Sequence, residues 1–329
     1  MALPRYAFFK GRVVPYSEAR VGVLTHGLNY GTGVFSGIRG YWNPDENELF
    51  AFRPGDHYQR FLESAKMLGM TLPLDAGQLT AAMTELLRKE GFREDCYVRS
   101  LAFYADETVG VRLHGLTPEI SIVSMPYGRY IDKEEGAHAT VSSWRRVDDN
   151  AIPARGKIVG AYVNSALAKS EAMRSGFDEA IVLNGDGHIA EGSAANFFLV
   201  RNGVALTPPI TDNILEGITR RTVIDLLRDE LGVTVVERSI DRSEIYVSEE
   251  ALFVGTGVQI VAVTRVDHRP VGNGRIGPIA AALRKLYFDV VRGRRPEYRH
   301  WCTPVYGPPA ALEKAPAGRG VAGAAAARS

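Results

Sequence analysis

The chain has 329 residues, of which 45% are hydrophobic and 23% charged, an ordinary globular composition with enough length for two packed cores. Its 39 Lys and Arg residues balance 38 Asp and Glu residues, so the net charge of +1 does not favour nucleic acid or an anionic membrane as a partner. Cys96 and Cys302 lie far apart without CxxC spacing, and no HExxH occurs, so neither a metal centre nor a disulfide framework is predicted. Small-molecule chemistry in a reducing cytoplasm is the expectation.

The two ends of the chain carry no targeting or membrane signal. Residues 1–10 contain no apolar core of signal-peptide length, and no uninterrupted apolar run of about 18 residues occurs anywhere. Residues 306–329 are mainly Ala, Gly and Pro with scattered charges, too poor in large apolar groups to offset the entropy of ordering them. We therefore predict a soluble cytoplasmic protein with a disordered C-terminal tail.

The first part of the chain predicts a small mixed domain over residues 1–125. Gly91 marks the end of its second helix, and an aromatic connector begins at Pro126, so residues 126–137 are predicted to be an interdomain loop. The predicted elements are strands at 13–14, 49–52, 97–103 and 120–125 and helices at 54–68 and 79–89.

Residues 138–305 predict a larger second domain, which makes the expected fold class a two-domain α+β protein. Asn202-Gly203 between two apolar runs is a strong hairpin signal. The predicted elements are strands at 140–144, 180–183, 197–201, 204–207, 233–237, 251–255 and 259–266 and helices at 164–175, 218–231 and 277–291.

Lys157 lies in a run of small and apolar residues, 154–160, where a charged side chain is unusual and suggests a functional role. Tyr162 follows five residues later, and the predicted order of helix, strand and turn brings Glu191 back to the same place. An amine, a phenol and a carboxylate suit pyridoxal phosphate, since the amine forms a Schiff base and the carboxylate keeps the pyridine nitrogen protonated. The alternative is a lysine whose amine reaches solvent along its aliphatic stem.

Three further segments offer anion-binding groups. Gly217 and Thr219 open a predicted helix, whose free amides and dipole suit a phosphate, although an ordinary helix start fits equally well. The turn at 255–257 could present amides to an anion or be a plain tight turn. Arg60 borders an apolar helix face, and Tyr97 and Arg99 share one strand face, which could bind a carboxylate or form a half-buried ion pair.

A GxGxxG match at 272–277 opens a helix and could be read as a dinucleotide fingerprint. No clear strand leads into it, no acidic residue ends a second strand about 20 positions on, and too little chain follows for a nucleotide-binding half. We therefore expect it to be a loop.

Together these segments resemble the fold type IV pyridoxal phosphate enzymes, and specifically the branched-chain amino acid aminotransferases, whose fold is that of D-amino acid aminotransferase. The resemblance covers about residues 13–304. The matching segments are 26–39 (HGLNYGTGVFSGIR), 97–99 (YVR), 142–146 (SSWRR), 164–167 (NSAL), 191–192 (EG), 207–209 (TPP) and 217–220 (GITR).

The resemblance implies a role for each cofactor-binding residue. Lys157 is the Schiff-base lysine and the catalytic residue, Glu191 the partner of the pyridine nitrogen, and Tyr162 the partner of the ring hydroxyl oxygen. The implied phosphate ligands are Arg60, Ile218, Thr219 and Thr256.

The resemblance also implies substrates and assembly. Tyr97 and the amides of Thr256 and Gly257 are expected to receive the substrate α-carboxylate, and Arg99 the distal carboxylate of glutamate. Val111 is expected to reach the neighbouring subunit's site, so a homodimer or higher homo-oligomer is predicted. The implied substrate-binding residues are Tyr30, Phe35, Gly37, Arg39, Tyr97, Arg99, Val111, Tyr127, Tyr130, Thr256 and Gly257.

The expected reaction transfers an amino group between leucine, isoleucine or valine and 2-oxoglutarate. Four residues depart from the family pattern: Ser36 replaces glutamate, Ser100 proline, Ala195 glutamate and Gly257 alanine. Alternatives are therefore a transaminase of other specificity (specialised biosynthetic, D-amino acid or (R)-amine), an aminodeoxychorismate lyase, or a non-catalytic cofactor-binding or scaffold protein.

Overall fold

A computed structural model describes residues 3–128, 133 and 135–307. Short 3-10 turns join several of its regular elements. In chain order these elements are β1 (Tyr6–Phe9), β2 (Arg12–Pro15), α1 (His26–Tyr30), β3 (Gly33–Asn43), β4 (Glu48–Phe52), α2 (Pro54–Met67), α3 (Ala76–Glu90), β5 (Cys96–Tyr104), β6 (Pro118–Pro126), β7 (Ala137–Arg145), α4 (Tyr162–Arg174), β8 (Glu179–Leu183), β9 (Ile189–Gly192), β10 (Asn196–Arg201), β11 (Val204–Thr207), α5 (Ile218–Asp229), β12 (Val235–Glu237), β13 (Glu250–Gly255), β14 (Gln259–Val266), β15 (Arg269–Pro270), α6 (Pro278–Val291) and β16 (Cys302–Pro304).

The strands form two sheets, which gives the α+β class predicted. The first has the order β16-β4-β3-β5-β6-β1-β2. The second has the order β12-β11-β10-β13-β14-β7-β8-β9, with β15 beside β14. Among the described residues, no helix is both long enough and apolar enough to cross a membrane.

The first sheet has two different faces because side chains alternate along each strand. On one face, Val34 and Ile38 of β3 and Val98 of β5 pack with α2 and α3 in a common core. The antiparallel register pairs Gly37 with Arg99 and Arg39 with Tyr97 on the other face. That face carries the polar side chains predicted to bind ligand.

The second sheet supplies the remaining core. Phe198, Leu252 and Ile260 on one of its faces pack against α5 and α6, and the same cluster includes Tyr41 and Phe52 of the first sheet. The two sheets therefore share buried side chains, so the elements that border the space between them are held at fixed positions.

Two boundaries in this region differ from the prediction. The helix predicted to reach residue 231 ends at Asp229, and the following strand begins at Val235 rather than 233. Gly232 adopts φ +62°, and the Val233 amide donates to the Leu227 carbonyl at 2.8 Å. A left-handed glycine closes the helix here, so the apolar residue after it continues the helix end instead of starting the strand.

The C-terminal end of the described chain returns to the first sheet. β16 pairs antiparallel with β4, Cys302 lying opposite Phe52. Tyr306, placed in the predicted tail, donates its hydroxyl to the Phe92 carbonyl at 2.6 Å. Residues 308–329 of that tail lie outside the described residues.

The buried carboxylate of Glu48 anchors this return. One oxygen accepts hydrogen bonds from the amides of Val305 and Tyr306 at 3.0 and 2.8 Å, and the other from Gly307 at 2.7 Å. Three amides of one segment thus converge on one charged acceptor.

Replacing Glu48 with Gln should lower the free energy of unfolding by about 2 kcal/mol, because hydrogen bonds to a charged acceptor are the stronger ones and an amide nitrogen cannot accept. Denaturant unfolding measures the loss. The matched control is Glu46→Gln, which removes an exposed ion pair with Arg299 and should change stability by less than about 1 kcal/mol. Equal losses in the two variants would contradict the anchoring role.

Candidate active site

Lys157 is fixed through its main chain between α2 and the first sheet. Its amide donates to the Ser64 hydroxyl at 3.1 Å, and its carbonyl accepts from the Phe35 amide at 2.9 Å. Its Nζ atom lies 2.6 Å from the Tyr162 hydroxyl and 4.9 Å from the centre of the Phe35 ring. The amine therefore points into the protein, which excludes the solvent-reaching alternative.

The surroundings of Lys157 favour its neutral form. Burial lowers the pKa of the Lys157 amine well below its usual 10.5, and the nearby positive charge of Arg60 lowers it further. Glu191 opposes this effect from across the cavity. An amine with a lowered pKa can act as a nucleophile or as a proton acceptor at neutral pH.

Glu191 at the end of β9 is held by three donors. Arg146 places Nη2 at 3.1 Å from one carboxylate oxygen, and the Asn196 side chain and the Leu215 amide donate to the other at 3.1 and 3.2 Å. Burial raises the pKa of Glu191, while Arg146 and the Leu215 amide lower it. These donors fix the direction of the carboxylate before any ligand arrives.

Arg146 and Asn196 lie in or beside the predicted motifs, but sequence reasoning assigned them no role. Arg146 directly follows β7, and Asn196 begins β10. The sequence shows only an arginine after a strand and an asparagine near a candidate carboxylate. This signal is weak, because it does not reveal what the two side chains contact.

The N-terminus of α5 forms the opposite end of the site. No side chain caps this helix, which begins after Gly217, so its first-turn amides remain available to an anion. Arg60 reaches across from α2 and donates to the Glu216 carbonyl at 2.9 Å. A β-carbon at Gly217 would lie 2.0 Å from Asn196 Oδ1, so glycine allows this loop to pack against the Glu191 network.

A third group of side chains comes from the cavity-facing side of the first sheet. Arg99 donates from Nη2 to the Tyr97 hydroxyl at 3.2 Å, and its guanidinium lies 4.5 Å from the centre of the Phe35 ring. A β-carbon at Gly37 would lie 2.0 Å from the Tyr97 hydroxyl. Because Gly37 has no side chain, there is room for the Tyr97 ring.

These three groups surround one cavity of about 430 Å³, within the size range of small-molecule sites. Its lining includes most of the predicted site residues. They are Phe35, Gly37, Arg60, Tyr97, Arg99, Tyr127, Lys157, Tyr162, Glu191, Ile218, Thr219, Thr256 and Gly257.

Arg39 differs from the predicted substrate contact. Its buried guanidinium donates to the carbonyls of Thr256 and Gly257 at 2.8 and 2.9 Å, and to those of Tyr127 and Gly128 at 3.0 and 2.7 Å. Four of the five N–H donors of an arginine are thus used by main-chain oxygens. Arg39 therefore holds the 256–257 turn against the connector that begins at Pro126.

Two other predicted substrate residues, Tyr30 and Val111, do not line the cavity. The Tyr30 hydroxyl accepts from the Gly110 amide at 3.0 Å, and Val111 is 79% exposed beside it. Tyr130 lies outside the described residues. Tyr30 and Val111 therefore belong to the surface near α1 in this chain.

The four departures from the family pattern fall into two groups. Ser36 and Ser100 are paired across β3 and β5 on the face turned away from the cavity, where the Ser100 hydroxyl lies 3.0 Å from that of Tyr58. Ala195 and Gly257 line the cavity itself. Only the second pair can change the shape of the space offered to a ligand.

The GxGxxG segment does not form an anion site. Glu250 occupies the N-terminus of α6 and accepts from the amides of Ile279 and Ala280 at 3.0 and 2.7 Å. A carboxylate at this position repels a phosphate, so the loop interpretation holds.

The fold and the cavity, with a buried amine facing a fixed carboxylate, define a protein of the type IV pyridoxal phosphate class. A family model described as amino-transferase class IV matches residues 33–266. The chain belongs to this family.

Relatives of known name and structure share nearly the whole chain. A probable branched-chain-amino-acid aminotransferase of Aquifex aeolicus is 48% identical over 301 residues, 92% of this chain and 97% of that protein. The branched-chain amino acid aminotransferase of Thermobaculum terrenum in its PLP form has a TM-score of 0.89 and 38% identity, covering 93% of this chain and 99% of that one. The branched-chain aminotransferase of the archaeon Thermoproteus uzoniensis with norvaline has a TM-score of 0.88 and 43% identity, covering 92% of this chain and 100% of that one.

Replacing Lys157 with Met should raise the stability of the cofactor-free chain at neutral pH. Because the folded-state pKa of Lys157 is below 10.5, the unfolded chain binds more protons in that interval, and the stability of the unmodified chain rises with pH. Methionine does not titrate, so its advantage should shrink between about pH 7 and about pH 10, as measured by urea unfolding.

The matched control is Lys66→Met at an exposed position of α2, whose difference from the unmodified chain should not change with pH. A Lys157→Met advantage that is constant or grows with pH would contradict a lowered pKa.

Proposed function

We propose that the protein is a pyridoxal phosphate-dependent aminotransferase that moves an amino group between a branched-chain L-amino acid and 2-oxoglutarate. The proposal depends on one observation: the Lys157 amine lies in the same cavity as the fixed Glu191 carboxylate and the N-terminus of α5, which no side chain caps. The family and the names of the relatives agree with this reading.

The residues present fit the cofactor from end to end. Arg60, the first-turn amides of α5 and the hydroxyls of Thr219 and Thr256 suit its phosphate, and Glu191 suits its ring nitrogen. When bound, the cofactor supplies an electron sink that stabilises negative charge at the substrate α-carbon.

The chain's own groups then handle the proton. The lowered pKa of the Lys157 amine suits it to accept the proton from the substrate α-carbon, and in amino transfer the amine would deliver that proton to the cofactor carbon on the other side of the transferred nitrogen. The Tyr162 hydroxyl, 2.6 Å from Nζ, keeps the amine directed into the cavity. The Glu191 carboxyl group needs no reorganisation during the reaction, since Arg146, Asn196 and Leu215 already hold it.

The cavity wall offers both apolar surface and one exposed cation. Phe35, Tyr127 and Met125 suit an aliphatic side chain, and Arg99 suits the distal carboxylate of 2-oxoglutarate. The small residues Ala195 and Gly257 support a second candidate, a transaminase whose donor is bulkier than leucine.

Arg99→Gln should therefore separate the two substrates. The KM for 2-oxoglutarate should rise about ten-fold or more, because a charge-assisted bidentate contact is lost, while the KM for leucine should stay within about two-fold. Steady-state kinetics with leucine, isoleucine and valine as donors provide the measurement. Equal increases for both substrates would assign Arg99 to the α-carboxylate, and transfer only from other donors would reject the branched-chain specificity.

We also propose that the catalytic unit is a homodimer joined at the surface around α1. The segment leading into α1 and the loop after β5 are tied together, since the Thr108 amide donates to the Leu24 carbonyl at 3.2 Å. Their exposed apolar side chains form a patch typical of interfaces. These are Val21, Val23, Leu24, Leu28, Tyr30, Val109 and Val111.

Leu28→Asp should shift the protein from dimer to monomer, because it places a charge in the proposed apolar interface. Sedimentation velocity measures the change. Val247→Asp is the control, since Val247 is 62% exposed, close to the 64% of Leu28, but lies outside this patch. A dimer unaffected by Leu28→Asp would remove the α1 surface from the interface.

We propose a cytoplasmic location on the basis of cysteine chemistry. Cys96 and Cys302 are both buried free thiols, as expected for a reducing compartment.

A further inference from the structure

Four polar side chains join the start of α2 to the first turns of α5. The Asp56 carboxylate accepts from Arg53 Nε at 2.6 Å through one oxygen and from Arg221 Nη2 at 2.8 Å through the other. Arg53 also donates from Nη1 to the Thr222 hydroxyl at 2.9 Å. We name Arg53, Asp56, Arg221 and Thr222 the helix clamp.

The helix clamp reaches the first residue of α5. An arginine only donates, so the Thr222 oxygen accepts from Arg53, and the Thr222 hydroxyl itself donates to the Ile218 carbonyl at 3.0 Å. Ile218 begins α5 and lines the cavity. Arg60 of α2 makes a second link, since it donates to the Glu216 carbonyl at 2.9 Å just before α5. The first turn of α5 is therefore held on both sides by the helix that carries Arg60.

Arg53 is held in a conformation that costs free energy. Its φ of +49° lies in the left-handed region, which is strained for a residue with a β-carbon. Its amide donates to the Trp301 carbonyl at 2.7 Å, and its guanidinium lies 4.6 Å from the centre of the Trp301 ring. Strain of this kind persists where surrounding contacts fix the residue, and it is concentrated at functional positions.

Asp56 holds two cations in a region that already contains a third. Burial lowers the pKa of the Arg60 guanidinium, and the charge of Arg221 lowers it further. The Arg221 side chain is 53% exposed, so solvent can take it up when no carboxylate binds it. The contact with Asp56 is therefore what keeps Arg221 against α2.

We propose that Asp56 and Arg53 are positioning residues, which keep Arg60 and the first-turn amides of α5 at the separation that the cofactor phosphate requires. This inference rests on the proposed function. A phosphate that contacts both helices is bound more tightly when its donors are already fixed, because less freedom is lost on binding. Asp56 and Arg53 do not line the cavity, so they act on the phosphate only through the two helices.

Positioning and simple electrostatics predict opposite effects for Asp56→Asn. Removing a negative charge near an anion site strengthens anion binding if Coulomb attraction alone decides the affinity. Releasing Arg221 from α2 weakens anion binding if the separation of the helices decides it. The sign of the change in affinity therefore distinguishes the two explanations.

The test compares pyridoxal phosphate with pyridoxal, which lacks the phosphate. The full-length protein is depleted of cofactor and titrated with each. Asp56→Asn should weaken binding of pyridoxal phosphate about five-fold or more and of pyridoxal less than about two-fold, because only phosphate contacts depend on the helix separation. Thr222→Val, which removes the acceptor of Arg53, should act in the same direction with a smaller loss, and it serves if Asp56→Asn does not fold.

A double-mutant cycle shows whether Asp56 acts through the placement of Arg60. Arg60→Met removes the phosphate donor of α2, and in that background Asp56→Asn should cause no further loss of affinity for pyridoxal phosphate. Additive losses in the two variants would overturn the proposal. Tighter binding of pyridoxal phosphate by Asp56→Asn, or equal losses for both ligands, would also overturn it.

Glu63→Gln is the matched control, since it removes the same charge from an exposed position of α2. The Glu63 carboxylate accepts from Gln59 of the same helix at 2.9 Å and has no bond to α5. Both affinities should stay within about two-fold in this variant. If the unmodified protein binds neither ligand, the proposed function fails. If it binds both and Asp56→Asn leaves both affinities unchanged, the proposed function stands and the positioning role is rejected.

Discussion

The structure depends on one unfavourable placement, an amine kept in the protein interior. Placing Lys157 there disfavours its charged form, and Arg60 adds to this effect. The main chain around Lys157 overcomes the cost by bonding to Ser64 on α2 and to Phe35 on β3. Because these anchors belong to the first sheet and its helix, the amine is positioned by a different part of the chain from the one that holds Glu191.

Two arginine contacts hold the part of the chain that positions Lys157 and the second half of the chain in a fixed relative position. Arg39 of β3 binds the carbonyls of Thr256 and Gly257, and Arg60 of α2 binds the carbonyl of Glu216 ahead of α5. Each bond joins a side chain of the first sheet or its helices to a main-chain oxygen of the second half. A cavity built this way keeps its shape through arginine contacts to main-chain oxygens, which explains why arginine rather than lysine is suited to these positions.

Some of this organisation follows from local sequence and some does not. Helices α2 and α3 and the Asn202-Gly203 hairpin have strong local signals, and the structure contains them. β3 is not among the predicted strands because its residues are buried on both faces, so the alternation that marks a half-buried strand is absent.

The contacts missed by sequence reasoning share one cause. Arg39 bonds to carbonyls 217 and 218 residues away, and Glu48 to amides more than 250 residues away. Every residue type offers a main-chain carbonyl, and nearly every type an amide, so neither motif nor spacing reveals which main-chain group a side chain will bind. The cavity-lining residues were predictable because a resemblance supplied the long-range arrangement that local patterns lack.

The most direct test of the central claim is to locate the bond between protein and cofactor. The protein is mixed with pyridoxal phosphate, reduced with borohydride and digested, and the modified peptide is identified by mass spectrometry. Attachment at Lys157 alone, abolished in Lys157→Ala, is the expected result. Attachment spread over surface lysines, or unchanged when Lys157 is replaced, would contradict the role of the buried amine.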